Sequence, residues 1–326
     1  FFSRWGASIA AGRTVFRRSD RCAMRTFDDF DAWNDSILGA ELRTVCDRVE
    51  SRRWRVGALA LGEAALQIAE EGGGNLAYGC SVHPGPMLFV PLSRVTDHVV
   101  NGERLDEGSL LLIPPFADFR IQVRRHAHAW CSIALPPGWP AAAPGRVAPP
   151  SGRVTPGVPS VNRLKRLALD AYGALGTIPG DRPAHAAAGA DLLAAAAACL
   201  APSDPRSAPA GRPRIDRAGI VRRMMERLDG AGEVILSPAA MALAIGVNER
   251  TLQRAVRETY AMTTKEYLLL RSLHAARRRL VVPPPGAAGV TDILAAMGIW
   301  EFGRFAGRYR RHFGELPSET LKRARG

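Results

Sequence analysis

The chain has 326 residues, 47% apolar and 23% charged, room for two domains and too ordinary a composition for a disordered or fibrous protein. No run of ~18 uninterrupted apolar residues is present to span a membrane. The five scattered cysteines lack a CxxC pair, which fits reduced cytoplasmic thiols better than a disulfide framework or a metal knuckle. The net charge is +13, and all but three of the 44 basic residues are arginine, so a coding bias toward arginine explains part of it. Location is more telling: residues 1–211 carry a net +3 and residues 212–326 a net +10. A charge concentrated in the last third is the footprint expected of a nucleic-acid-binding domain.

Residues 1–26 begin Arg-rich and without period, and are expected to be a disordered leader. Residues 27–160 are expected to form a β-rich domain. Short apolar or alternating runs predict strands over Arg53–Leu61, Ala64–Ala69, Met87–Pro91, Leu110–Ile113, Arg120–Val123 and Ala129–Leu135. Gly72-Gly73-Gly74, Pro84-Gly85-Pro86, Asn101-Gly102 and Pro114-Pro115 punctuate them, and Asn101-Gly102 suits a tight hairpin turn. Eight prolines over 136–160 suggest an extended connection. Leu- and Ala-rich stretches predict a helical hairpin within 161–201, able to serve in dimerisation or to pack on the chain's own barrel. A Pro-rich linker at 202–213 then leads into an all-α domain over 214–326, broken by PPPGAAG at 283–289.

That last domain carries a duplicated helix-turn-helix. In LSPAAMALAIGVNERTLQRAVRE, Ser237 suits an N-cap, Pro238 the first helical turn, and Gly246 the left-handed turn between helices. Met241, Ile245, Val247, Leu252 and Ala255 fall at core positions. Asn248 suits the cap of a second helix, whose exposed face would carry Arg250, Thr251, Gln253, Arg254 and Arg257. Arginine and glutamine read guanine and adenine edges in the major groove, so this is a chemically sensible recognition helix. The second unit, VTDILAAMGIWEFGRFAGRYRRHFGELPSE, offers Thr291 or Asp292 as caps and Gly298 as the turn. Its buried stripe is Phe305, Tyr309 and Phe313, and its basic residues are Arg304, Arg308, Arg310 and Arg311. One helix, Lys265–Leu280, bridges the units, which could then enter successive major grooves about 34 Å apart.

The ordered pair, with GVNERTLQRAVRE, Tyr267, Arg277–Leu280, VTDILAAMG and RFAGRYRRHFGELPSE, resembles the DNA-binding domain of AraC/XylS-type transcription regulators over roughly 215–325. The resemblance implies an α+β architecture: an N-terminal cupin-like effector barrel with a helical hairpin, then the all-α DNA-binding domain. EGSLLLIPPFADFRI, residues 107–121, is similar to a strand of cupin-like barrels. It also implies a sequence-specific regulator, with promoter DNA, a small-molecule effector, a second copy of the chain and RNA polymerase as expected partners. In the family, base contacts from the second unit come from positions that here are Gly303 and Gly307, which have no side chain to offer.

Within the β-rich domain, Trp54, Tyr78, Arg94 and Arg120 are candidate effector contacts, since such sites are apolar with a few polar anchors. His126-x-His128 is the one HxH, and no acidic partner follows it at ligand spacing. No metal, cofactor or catalytic residue is therefore expected, and no P-loop, GxGxxG or nucleophile elbow is present. The competing reading is a metal-dependent cupin enzyme fused to a DNA-binding tail. A DNA-repair alkyl transferase is disfavoured because Cys46, Cys80 and Cys131 lack a Pro-Cys-His or metal context.

Overall fold

The structure, a computed structural model, describes residues 24–139, 151–176, 182–200, 217–230, 237–284 and 289–325. The chain divides into two compact units, Phe1–Arg206 and Ser207–Gly326.

The first unit is built on two antiparallel sheets. The seven-stranded sheet has the order β1 (Arg25–Phe27), β3 (Trp54–Leu61), β4 (Ala64–Glu71), β11 (His128–Ala134), β6 (Met87–Pro91), β9 (Leu110–Ile113) and β12 (Gly152–Val154). The five-stranded sheet has the order β2 (Ala40–Val49), β5 (Gly73–Ser81), β10 (Asp118–Val123), β7 (His98–Val100) and β8 (Glu103–Arg104). The sheets enclose one core, with Val56, Phe89 and Trp130 meeting Cys46, Ala77 and Phe119, joined by Phe30 and Trp33 of the short helix α1 (Phe30–Asn34).

A second core lies on the other face of the larger sheet. Leu59, Leu66 and Ile133 pack there against Val161 and Leu164 of α2 (Val158–Leu175) and Leu192 and Ala196 of α3 (Arg182–Leu200). Burial on both faces is why β6 reads as an unbroken apolar run rather than an alternation. The two helices of the hairpin thus cover the chain's own sheet. By length and composition the stretch Pro183–Leu200 of α3 is apolar enough to cross a membrane. Here its Leu192, Ala195, Ala196 and Cys199 are buried in the helix–sheet core.

The six anticipated strands are present, with ends shifted by at most two residues. Two long ones, β2 and β5, had no legible signal. Charged Glu41, Arg43 and Arg48 interrupt the apolar pattern of β2, and β5 opens in the glycine triplet that suggested a turn. The triplet answers to close backbone approach. A Cβ at Gly73 would overlap the carbonyl of Arg48, and one at Gly74 the amide of Arg125. Asn101 and Gly102 do turn tightly between β7 and β8, both with positive φ. Two expectations are corrected. Arg25 and Thr26, assigned to a leader, pair with Val56 and Arg55. The proline-rich connection contains β12, which pairs with β9. Residues 1–23 and the linker at 202–213 lie outside the described residues.

The second unit is helical: α4 (Arg217–Gly230), α5 (Pro238–Ala244), α6 (Glu249–Tyr260), α7 (Thr264–Val281), α8 (Val290–Ala296), α9 (Phe302–Phe313) and α10 (Pro317–Arg325). The bridging helix α7 starts with a reciprocal cap between Thr263 and Glu266. Its Leu273, Ala276 and Leu280 pack on Ile293, Met297 and the Phe305–Tyr309–Phe313 stripe.

Candidate functional site

Helices α5 and α6 form the first helix-turn-helix. Ser237 Oγ accepts from the Ala240 amide at 3.1 Å, and Asn248 Oδ1 accepts from the Thr251 amide at 2.7 Å, so both caps form as the sequence indicates. Gly246 makes the turn at φ 69°. Met241, Ala242, Leu252, Ala255 and Val256 are buried, whereas Ile245 and Val247 are only half-buried. On the opposite face of α6, Arg250, Gln253, Arg254 and Arg257 are exposed and Thr251 is half-exposed. Gln253 donates to Glu249 at 3.1 Å and Arg254 to Glu258 at 3.0 Å, while Arg250 and Arg257 make no ion pair among the described residues. Exposed i,i+4 pairs of this kind contribute only about 0.3–0.5 kcal/mol, so releasing them to a ligand costs little.

Helices α8 and α9 form the second unit, turning at Gly298 with φ 77°. Of the two expected capping residues, Asp292 takes part in the cap and Thr291 does not. The helix begins at Val290, Gly289 is the N-cap, and Asp292 reaches back to accept from the Gly289 amide at 2.9 Å. Thr291 lies inside the helix. Phe305, Tyr309 and Phe313 are buried. Arg304, Arg310 and Arg311 are exposed and Arg308 is half-exposed. Arg304 sits 3.3 Å from Glu301, Arg311 donates to the Gly307 carbonyl at 3.3 Å, and Arg308 and Arg310 make no ion pair among the described residues. Gly303 and Gly307 are exposed on this helix, and a Cβ at either would meet nothing within 4 Å. Packing among the described residues does not require these glycines.

The first unit holds a cavity of about 60 Å³ between its sheets. Its walls include Trp33, Phe89, Phe119 and Trp130, and buried polar side chains interrupt them. Glu71 Oε1 accepts from Trp130 Nε1 at 2.7 Å, and Asn75 Nδ2 donates to Glu71 Oε2. His128 Nε2 stands 3.4 Å from Glu71 Oε1, at ion-pair distance but not aligned for a hydrogen bond. Burial opposes the His128 imidazolium, yet the Glu71 carboxylate outweighs it and raises the His128 pKa. His98, its ring 5.2 Å from that of His128, is pushed down to about 3 by burial and then by that neighbour.

None of the four anticipated effector contacts lines this cavity. Phe119 and Ile121 of β10 and Asn75 and Ala77 of β5 line it, so strand alternation turns Arg120 and Tyr78 to the other face, where the guanidinium sits 5.7 Å from the Tyr78 ring. Trp54 is buried against Phe30, and Arg94 lies in a surface turn, 3.6 Å from Asp97. The two histidines of the HxH part company: His126 is exposed, 3.8 Å from Glu50, and His128 is buried. The polar residues that do line the cavity, Gln67, Glu71 and Asn75 among them, were missed. Their signal is a polar side chain at an inward strand position, as at Gln67 within Ala65–Ala69.

Residues 241–323 match the helix-turn-helix domain family. The chain is 35% identical over 104 residues to the "Probable thc operon regulatory protein" of Rhodococcus erythropolis, covering 32% of this chain and 31% of that one. It is 38% identical over 77 residues to the "XylDLEGF operon transcriptional activator 1" of Pseudomonas putida, covering 24% and 23%. The match thus spans less than a third of the length of these relatives. Among solved structures, the AraC-like transcriptional activator CuxR is 12% identical with a TM-score of 0.40, over 79% of this chain and 96% of that one.

Proposed function

We propose, from the premise that residues 241–323 are a helix-turn-helix domain of the AraC/XylS type, that this chain is a sequence-specific DNA-binding transcription regulator of the cytoplasm. One observation carries the reading. Helix α6 is capped and buried on one side, and turns Arg250, Gln253, Arg254 and Arg257 outward together. Four long donors on one rigid face suit base edges and phosphates in a major groove. In α9, Arg304, Arg308, Arg310 and Arg311 supply charge without a reader at Gly303 or Gly307, so the second unit holds phosphates and the first reads bases.

The β-rich unit, Phe1–Arg206, serves as the sensing module, with a small molecule as effector. A second copy of the chain and RNA polymerase are the protein partners this role calls for. The reading is tested by sequencing the DNA that co-purifies with the chain from cells. Recovery of one recurrent motif at a few promoters is expected. Recovery of DNA with no shared motif would leave a non-specific basic protein instead.

A further inference from the structure

We propose that the cavity of the first unit is a site for a small neutral ligand with an aromatic ring and a carboxamide-type head, and that it rejects the matching carboxylate. The ligand's regulatory role rests on the regulator reading above; the chemistry of the site does not.

The hydrogen-bond network around the cavity fixes what is left to offer. Gln67 Oε1 accepts from the Leu38 amide at 3.0 Å, which leaves its amide nitrogen as a donor with no partner among the described residues. Asn75 gives its amide nitrogen to Glu71, a carboxylate that can only accept, which leaves Asn75 Oδ1 as an acceptor with no such partner. Asn34 Oδ1 is a second such acceptor, and Thr44 Oγ1 can play either part. All four residues line the cavity, and Gln67 and Asn75 are 1% and 4% exposed. Buried polar atoms left unmatched are costly, so a site built this way selects for their complement.

That complement is one acceptor beside two donors. A primary carboxamide supplies both, its oxygen toward Gln67 Nε2 and its N–H groups toward Asn75 Oδ1 and Asn34 Oδ1. A carboxylate has no hydrogen to give and would face those oxygens and Glu71; the lining holds no arginine or lysine, and its one imidazole, His128, already has the Glu71 carboxylate 3.4 Å from its Nε2 to balance its charge. A protonated amine has no acceptor for Gln67, and Glu71 is already engaged by Trp130 and Asn75. The apolar remainder of the wall, with Trp33, Phe89, Phe119 and Trp130, suits a ring.

The test is calorimetric titration of the full chain with benzamide, benzoate and benzylamine, with tryptophan fluorescence as a second readout because Trp33 and Trp130 line the site. Benzamide is expected to bind about tenfold or more tighter than either charged analogue. Gln67→Met should weaken benzamide about tenfold. So should Asn34→Ala, at the half-buried end of a short helix. Benzoate or benzylamine binding as well as benzamide, benzamide not binding at all because the cavity holds only water, or Asn34→Ala matching the parent chain would each overturn the proposal. Measuring DNA binding on the same preparation separates the two readings. Benzamide selectivity without DNA binding keeps the site and removes the regulator; sequence-specific DNA binding without that selectivity does the reverse.

Discussion

Arg277 Nη1 donates to Glu315 Oε1 across 2.7 Å, and so ties the helix that bridges the two helix-turn-helix units to the turn that follows α9. Both residues are only 8% exposed. Glu315 also accepts from Arg323 at 2.8 and 2.9 Å and from Thr320 at 2.8 Å, and the Arg277 guanidinium lies 4.8 Å from the Phe313 ring. Burial alone would raise the Glu315 pKa, but the hydrogen bonds from Arg323, Thr320 and Arg277 outweigh it and hold the pKa at about 2.

A carboxylate whose folded pKa is depressed stabilises the fold fully above its unfolded value and loses that contribution as pH falls through the folded one. The second unit should therefore lose stability between its ordinary carboxylate value of 4.5 and about pH 2. Glu315→Gln should flatten calorimetric unfolding over that window. At pH 7 it should cost about 3–5 kcal/mol, because Arg277 stays buried without its partner. A variant that unfolds like the parent at both pH values would remove the pair from the account of stability.

Gly303 and Gly307 weaken an exposed helix with no compensating contact among the described residues. Alanine at either position should raise the melting temperature of the free protein, by an increment worth about 0.5–1 kcal/mol. We expect the same variants to bind operator DNA more weakly, as they would if the α9 backbone lies against phosphates. Alanine variants that are stabilised and bind DNA unchanged would leave the glycines without a role in contact.

The two units should divide recognition. Arg254→Ala should relax base preference at one or two operator positions, each bidentate contact discriminating by about 1–3 kcal/mol. Arg308→Ala should weaken specific and non-specific sites alike and lower the log–log salt slope by about one. Selection from a randomised operator library at two salt concentrations reads both effects. Altered base choice in the Arg308 variant, with only a uniform loss in the Arg254 variant, would contradict this division.

In the first unit, Gly73→Ala should destabilise by about 1–3 kcal/mol or more, because the added methyl overlaps the Arg48 carbonyl and the paired strands cannot both stay in place. A loss that small-angle scattering and calorimetry place in the second unit alone would point to another cause.

The helical half of this protein is legible in sequence because its determinants are local. Ser237, Asn248, Gly246 and Gly298 act within one turn of themselves, and the Phe305–Tyr309–Phe313 stripe follows helical period, so caps, turns and buried face follow from the order of residues alone. The apolar strands of the first unit are legible for the same reason. Tertiary pairing decided the rest. Gly73 sits in a strand because Arg48 of β2 passes close by, and Arg120 turns away from the cavity because of where Phe119 falls in the alternation of β10. Trp130 meets Glu71 across 59 residues, and Arg277 meets Glu315 across 38 residues. A polar side chain inside an apolar strand announces that it needs a partner, but which partner it finds depends on register between distant segments, and that is a property of the folded chain alone.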